Sequence, residues 1–474
     1  MRFHFLLFIV CLAVFLGSCQ RTKTEEFLPA NASVVVALDL KNTGSNLVDF
    51  STLLGGGTSG DSLWSMASKA MDSGVDVNGR VCLALFPDTV TGLSTQAVFI
   101  PLSNRNDFKQ FLESEFKGQT IEGSPFSTFE SSTFRCMFNN DMAFAGIDLG
   151  AGTTPSYMLA KVAVAKAQED LPFSSLFNQS FELATWTNLT KLPLLGNLAQ
   201  VSNKMELTTY TSFKKGSIET IGLLKADEDT GPLLSSIFQD PMSKAKVEAA
   251  TEPGTIAQIH FQISVENLWK QLDKMGKLTE FRINAALMGF DAELMKNMVS
   301  GSYSISLVEA TQTGFTPFGS LRFRVGLKDE NSFQKMMKGF TDNGSMKKID
   351  QNRYESQWFA NTLIEKTDRE VVVTLGETKW QDKSGAKGFS DAPFPSDWTF
   401  EPINFQAKLD KMHNGMQVGA SLSDLFISAR PEKNGEMKLK LVVKTNKPEE
   451  NALKTLLEAS QKSSLFSKYP DINL

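Results

Sequence analysis

The residues of this sequence whose types could do chemistry are few and lie far apart. A thiol, Cys19, ends an apolar N-terminal run, and only His260 and His413 supply imidazoles beyond that run. Arg322 and Arg324 alternate along one predicted strand. Cysteine and histidine can ligate zinc, a histidine can activate a serine, and arginine can bind an acidic ligand. The spacing of these residues decides which of these functions the chain could support.

The two histidines share no spacing that suits a metal site or a catalytic triad. Neither has a cysteine nearby, and the sequence lacks the Gly-x-Ser-x-Gly elbow of serine hydrolases. His260 alternates with Gln258 and Gln262 on the polar face of a predicted strand, whereas His413 stands at a predicted helix end, where a cation suits the helix dipole. We therefore predict no metal, no cofactor and no enzymatic activity. A divergent hydrolase that uses a pair of carboxylates is the alternative.

Arg322 and Arg324 allow two interpretations. Both fall on the polar face of a predicted strand, where they could line a groove for an acidic ligand. The simpler interpretation is a strand face in contact with solvent, because charged residues on one face of a strand usually point to water. The sequence favours this second interpretation.

The N-terminus has the pattern of an export signal. Arg2 supplies a positive charge, residues 5–16 form an uncharged apolar core, and the small residues Gly17 and Ser18 follow. The core is too short to span a bilayer, which needs about 20 apolar residues. We predict a signal peptide over residues 1–18 and a polar tether over residues 19–26.

The run Leu16-Gly17-Ser18-Cys19 resembles the lipobox of bacterial lipoproteins. The resemblance implies that the signal is cleaved before Cys19, that the thiol carries diacylglycerol, and that the new amine is acylated by a fatty acid such as palmitate. An ordinary signal peptide without lipid is the alternative. The residue after the cysteine is Gln20 rather than aspartate, so the resemblance favours the outer membrane. Whether the protein faces the periplasm or the cell surface stays open.

Composition narrows the range of partners. The chain has 48 Lys and Arg against 53 Asp and Glu, without a basic cluster, so we expect no nucleic-acid binding. Six Trp and five Tyr beside 36 Phe weigh against a dedicated carbohydrate-binding surface. No later segment has the length of a membrane span, so contact with the membrane is predicted only through the N-terminal lipid. The partner could be a protein, a glycan or a lipid.

Two cysteines remain beyond the lipobox. Alternation places Cys136 on a face with phenylalanines and places Cys82 opposite the face of Val81, Leu83 and Leu85. An envelope compartment permits a disulfide. The different environments nevertheless predict two free thiols.

The order of predicted elements repeats along the chain. Val34, Val36, Leu38 and Leu40 are predicted to lie on one face of the first strand, and Ile259, Phe261, Ile263 and Val265 repeat this strand in the second half. Tyr303, Ile305 and Leu307 repeat Val81, Leu83 and Leu85 in the same way. Arg322 and Arg324 stand where the first copy has Ala97 and Phe99. Asn104 or Asn106 is predicted to cap a helix, Asn139-Asn140 to make a tight turn, and residues 267–275 to form a helix.

These repeats predict an α+β fold. Each copy mixes hairpins with helices, as in layers where helices cover an antiparallel sheet. We predict two tandem copies of a mixed, antiparallel-rich sheet unit with helices packed on one face. The copies would occupy residues 27–249 and 250–474.

The lipobox, the Leu28-Pro29-Ala30 entry to the first strand and the two-copy layout together resemble the large outer-membrane lipoproteins of unknown function in the Bacteroidetes phylum. This resemblance implies an envelope location and no particular chemistry. Asp61-Ser62-Leu63 and Asp88-Thr89-Val90 are similar to the short O-glycosylation acceptor of that phylum, so Ser62 and Thr89 are candidate glycosylation sites.

The sequence as a whole predicts a lipid-anchored lipoprotein of the cell envelope. Its body would act as a non-enzymatic binding or accessory module with an unidentified ligand. A hydrolase with a carboxylate pair is one alternative. A partner subunit in the assembly of an outer-membrane complex is the other.

Overall fold

The computed structural model describes the following residues: 24–43, 73–87, 94–131, 135–147, 171–191, 204–228, 230–238, 241–243, 247, 254–287, 289–309, 319–357, 362–376, 394–395, 398–412, 421–432 and 435–456. Four residues singled out by the sequence lie outside these ranges: Cys19, Ser62, Thr89 and His413. Lipidation and glycosylation therefore stay predictions.

The described chain forms two compact units. Unit 1 contains the described residues up to Leu224 and those from Glu449 onwards, and unit 2 contains those from Lys225 to Pro448. The sequence divides the chain at residue 249 instead. The difference arises because the helix that follows the last strand of unit 1 belongs to unit 2, whereas the segment after the last strand of unit 2 belongs to unit 1.

Unit 1 is built on an antiparallel sheet. Its described strands are β1 Val34–Asp39, β2 Arg80–Pro87, β3 Ser94–Pro101, β4 Gln119–Ile121, β5 Ser127–Glu130, β6 Arg135–Phe138, β7 Met142–Ile147, β8 Leu183–Asn188, β9 Met205–Lys214 and β10 Ser217–Ala226. Their hydrogen-bonded order is β4-β5-β6-β7-β3-β2-β1-β8-β9-β10. At the predicted tight turn between β6 and β7, the side chain of Asn139 accepts hydrogen bonds from the backbone N–H groups of Asp141 and Met142.

Helix α1, Arg105–Phe116, begins at Asn104, one of the two caps that the sequence allows. The Oδ1 atom of Asn104 accepts hydrogen bonds from the backbone N–H groups of Asn106 at 2.9 Å and Asp107 at 3.3 Å. The helix packs Phe108 and Leu112 against the sheet. The cap therefore fixes where the helix starts and which side it presents to the core.

Replacing Asn104 by alanine should lower the free energy of unfolding by about 1 kcal/mol, because two N–H groups of the first turn lose their acceptor. Urea denaturation measures this loss. Asn104→Ser keeps an oxygen at the cap and should retain most of the stability. Equal stability of the alanine variant and the parent would show that the cap contributes nothing.

Apolar side chains pack against both faces of the unit 1 sheet. Fully buried Val35 and Ala37 face a cluster that includes two 3₁₀ turns, Thr24–Phe27 and Ser174–Asn178. Helix α1 covers the opposite face, which carries Leu38. The sequence predicts one apolar face for β1, the face that carries Leu38. The structure differs, because Val35 and Ala37 on the opposite face are also buried.

Two sequence predictions concern residues near this sheet. The predicted tether of residues 19–26 is too long at its C-terminal end, because Thr24 is buried and its hydroxyl donates a 2.6 Å hydrogen bond to the carbonyl of Arg80.

Cys82 and Cys136 are free thiols in the two separate clusters, one on each face. Burial raises the pKa of both thiols, to about 12 for Cys136.

Unit 2 is also built on an antiparallel sheet. Its described strands are β11 Thr255–Gln262, β12 Val299–Glu309, β13 Gly319–Leu327, β14 Met346–Lys348, β15 Arg353–Ser356, β16 Thr362–Lys366, β17 Glu370–Leu375, β18 Ile403–Lys408, β19 Leu422–Pro431 and β20 Glu436–Thr445. Their order is β14-β15-β16-β17-β13-β12-β11-β18-β19-β20. This order repeats that of unit 1 strand for strand.

Helices pack on one face of this sheet. The described helices of unit 2 are α2 Thr230–Ile237, α3 Val265–Lys274, α4 Leu278–Leu287, α5 Ala292–Met298, α6 Glu330–Asp342 and α7 Leu409–Met412. Trp269, Phe333 and Phe340 pack with Tyr354 and Val371 of the sheet. The fold is therefore α+β, as predicted.

The first strand of unit 2 is shorter than the sequence predicts. Ile263 lies beyond β11, and Val265 is the first residue of α3. Ser264 ends the extended segment because its Oγ accepts a hydrogen bond from the backbone N–H of Asn267 and caps the helix. The apolar alternation of residues 259–265 therefore runs across the boundary between a strand and a helix.

Candidate functional site

Polar side chains line one face of the unit 2 sheet in two neighbouring rows. In the first row, consecutive strands place these residues opposite one another: Arg324, Ser304, His260, Asn404 and Ser428. The second row places Thr374, Arg322, Ser306, Gln258 and Gln406 in the same way. We name these residues the polar layer. Residues opposite one another on paired strands have Cβ atoms about 5 Å apart, so the side chains of each row are neighbours.

The polar layer is buried rather than solvated. His260 and Asn404 have 0 % of their surface exposed, and Arg322 has 6 %. Only 11 % of the Arg324 side chain is exposed. The favoured sequence interpretation of Arg322 and Arg324 as a solvated strand face is therefore wrong. Alternation identified the polar side of the strand, but it could not show that this side is covered.

The corresponding face of unit 1 is apolar. The repeat predicted from the sequence sets Arg322 on Ala97 and Arg324 on Phe99, and the strand registers of unit 1 then give the positions that match those on β12, β11 and β18. In unit 1 those positions hold Phe99, Cys82, Ala37 and Ala184 in the first row and Ala97, Ala84, Val35 and Trp186 in the second. All of them belong to the hydrophobic core. One strand order therefore carries two opposite chemistries on this face.

Several polar atoms of the layer have no hydrogen-bond partner among the residues that the structure describes. They are Nδ1 and Nε2 of His260 and the hydroxyls of Ser304 and Ser306. Ser320, on the same strand as Arg322, has a buried hydroxyl in the same condition. A buried polar group left without a partner costs about 1–3 kcal/mol, and native proteins contain few of them. Because such atoms cluster on one face here, this face is the candidate functional site.

Other members of the layer contact each other or the nearby chain. The side-chain amide of Gln258 donates a 3.3 Å hydrogen bond to the amide oxygen of Gln406. Asn404 donates its amide to the carbonyl of Glu401 and accepts the N–H of the same residue at 3.1 Å, which holds the start of β18. Arg324 forms an ion pair with Glu370. These contacts fix side chains around the unpartnered atoms of His260, Ser304 and Ser306.

The imidazole of His260 is uncharged over the physiological range. Burial, assisted by the positive charge of Arg324, lowers the pKa of His260 from 6.5 to about 4. A neutral imidazole has one nitrogen that donates and one that accepts a hydrogen bond. His260 can therefore bind a ligand from both sides of its ring without adding a charge to the layer.

Acidic residues do not form a catalytic pair within the polar layer. Glu401 and Glu432 contact the same guanidinium, that of Arg430, at 3.5 and 2.9 Å. Burial raises the pKa of Glu401, and Arg430 opposes that change. The shared arginine accounts for this group as an ion-pair network. A hydrolase with a carboxylate pair stays a prediction.

Two further observations concern metals and membranes. Within the described ranges, no group of three His, Cys, Asp or Glu side chains is arranged to hold a metal ion. Among the described helices, none has the length and hydrophobicity needed to cross a bilayer.

Comparison with known proteins gives little information. No family model matches the chain, and no curated protein matches it. Two solved structures of TP0453, in crystal forms IV and I, are similar at 9 % and 10 % identity, with TM-scores of 0.30 and 0.29. They cover 47 % and 48 % of this chain, and 88 % and 84 % of their own chains. At these scores the likeness supports no inference about function.

Proposed function

We propose that this protein is a lipid-anchored binding protein of the cell envelope, and that its ligand occupies the polar layer of unit 2. The body acts without catalysis, as a receptor or accessory module. Tandem duplication of one sheet unit is part of the proposal, because the two units repeat one strand order. One copy keeps an apolar core where the other has acquired polar groups.

The observation that carries the binding role is the set of buried atoms without partners on His260, Ser304 and Ser306. Unit 1 has alanine or cysteine at the matching positions, so this strand order does not require polar side chains there. Evolution retains a destabilising arrangement of this kind mainly at functional sites. A bound polar molecule would supply the missing hydrogen bonds.

The lipid anchor is supported by the sequence Leu16-Gly17-Ser18-Cys19. Acyl chains attached at Cys19 would hold the protein to the outer membrane durably, because each buried CH₂ contributes about 0.8 kcal/mol. The body would then act beside the membrane rather than within it. Whether it faces the periplasm or the outside is decided by protease treatment of whole cells.

Changing Cys19 to serine should release the protein from the membrane. We expect the parent chain to fractionate with membranes and its intact mass to include the acyl chains, because the thiol is the acceptor. Cys19→Ser should show neither property. Cys11→Ser, inside the predicted signal peptide, is the matched control and should behave as the parent. A mature parent protein without added lipid mass would contradict the anchor.

A further inference from the structure

We propose that the polar layer binds a small molecule through an anionic group, a carboxylate or a phosphate, with Arg322 and Arg324 as its cationic contacts. This inference rests on the proposed function and deepens it by naming the ligand class. His260, Ser304 and Ser306 supply the neutral hydrogen bonds that orient the ligand.

The sign of the charge in the layer supports an anion. The two rows contain guanidinium, imidazole, amide and hydroxyl groups, and the strand beyond Ser428 continues the first row with Lys440. Neither row contains a carboxylate. Three acids lie at the edges of the layer: Glu370 pairs with Arg324, Glu365 lies beyond Val372 at the other end of the first row, and Asp424 lies opposite Lys408 and Lys444 on the adjoining strands. In a buried site, charges attract an opposite charge more strongly than at a surface.

The geometry of the arginines suits carboxylate and phosphate oxygens. Arg322 and Arg324 are two residues apart on β13, so they share a face and their Cα atoms are about 7 Å apart. A guanidinium presents paired N–H donors that match two oxygens of a carboxylate or a phosphate. One ligand could therefore contact one or both arginines.

The neutral groups next to the arginines complete the site. Ser304 lies opposite Arg324 and next to His260, and Ser306 lies opposite Arg322. Within the described part of the chain, the hydroxyls of both serines and both ring nitrogens of His260 have no hydrogen-bond partner. Hydroxyl and imidazole groups can donate to an anion and can also accept from hydroxyls elsewhere on the ligand. The ligand is thus a polar molecule that carries an anionic group, rather than a fatty chain.

Binding is tested on the full-length protein with matched charged and neutral probes. The charged probes are glycerol 3-phosphate, inorganic phosphate and succinate, and the neutral probes are glycerol and succinamide. Each sample is refolded from urea with its probe, so that slow entry to a buried site does not prevent binding. Thermal unfolding then reports binding as a rise in Tm with probe concentration. We expect at least one charged probe, and neither neutral probe, to raise the Tm.

Variants locate the binding. Arg322→Gln removes the charge and should weaken binding about tenfold or more, whereas Arg282→Gln should leave the Kd unchanged. Arg282 is an exposed residue of unit 2 that pairs with Glu293 on neighbouring helices. If Arg322→Gln fails to fold, Ser306→Ala provides the second test, because unit 1 has alanine at that position. We expect Ser306→Ala to weaken binding about fivefold.

The imidazole of His260 gives a readout that a purely structural role would not change. An anion in the layer opposes the charge of Arg324 and should raise the pKa of His260, which NMR titration measures with His260→Gln as the assignment control. A neutral probe that binds without moving this pKa would overturn the anionic ligand class and keep the binding role. If no probe binds, or if Arg322→Gln binds as tightly as Arg282→Gln, the layer is not an anion site.

Discussion

Arg80→Met is expected to lower the free energy of unfolding by about 3–5 kcal/mol, the largest effect of any single change considered for this protein. Arg80 and Asp39 lie opposite each other on β2 and β1, and both side chains are buried. The Nε atom of Arg80 is 3.2 Å from Oδ2 of Asp39. Methionine fills much of the same space but leaves the carboxylate of Asp39 buried without its cation.

The guanidinium of Arg80 also holds a distant segment of unit 1. Its Nη1 atom donates a 3.0 Å hydrogen bond to the carbonyl of Phe177, and its charge lies 4.7 Å from the ring centre of Phe181 and 5.5 Å from that of Phe177. Because these rings close one face of the sheet, the loss of Arg80 should also loosen residues 173–181. Hydrogen exchange resolved by peptide should show faster exchange there.

Urea denaturation measures the loss, and the double variant Asp39→Leu/Arg80→Met is its control. Removing both charges avoids a buried carboxylate without its cation, so the double variant should be more stable than Arg80→Met alone. If Arg80→Met matched the parent in stability, or if the double variant were the less stable of the two, the buried ion pair would not have the role assigned to it.

Acid should destabilise the protein through His260. The pKa of His260 is about 4 in the folded chain and about 6.5 when unfolded, so the unfolded chain binds the proton first as the pH falls. Stability is therefore retained above pH 6.5 and lost progressively between about pH 6.5 and pH 4. This one group should account for a loss of up to about 3 kcal/mol across that window.

His260→Gln tests this assignment, because glutamine is polar but does not titrate. The free energy of unfolding is measured for the parent and the variant at several pH values in buffers without phosphate or carboxylate. The difference between the two should change by about 3 kcal/mol from pH 7 to pH 4, with the parent losing more. Other groups that titrate in this range are common to both proteins and cancel. A difference that stays constant with pH would show that His260 titrates normally.

The sequence predicted the secondary structure of this protein better than its burial. Local signals predict a cap at Asn104 or Asn106, of which the structure uses Asn104, and the turn at Asn139, because each signal depends on neighbouring residues. The alternation of residues 259–265 was misread as one strand, since a strand and a following helix can both present apolar residues at those positions. A capping serine at position 264 was the signal that could have placed the boundary.

The candidate site was visible in the sequence only in pieces. Arg322 and Arg324 were identified as polar replacements of Ala97 and Phe99, and His260 as a polar strand residue. Their meeting on one buried face depends on the pairing of β11, β12 and β13, which single strands do not reveal. Alternation distinguishes the two faces of a strand, but whether a polar face is covered depends on distant parts of the chain. The available clue was the pair of serines on β12, Ser304 and Ser306, which lie in register with the two arginines of β13.

The positions of the two thiols in unit 1 have a consequence for how the chain matures. Cys82 on β2 and Cys136 on β6 are separated by three strand spacings, about 14 Å, and point to opposite sides of the sheet. A disulfide needs Cα atoms within about 7 Å, so oxidation can join them only while the sheet is unformed. In an oxidising compartment, the sheet must therefore form before an oxidant joins the two thiols, because a disulfide made earlier would hold the chain in a non-native loop.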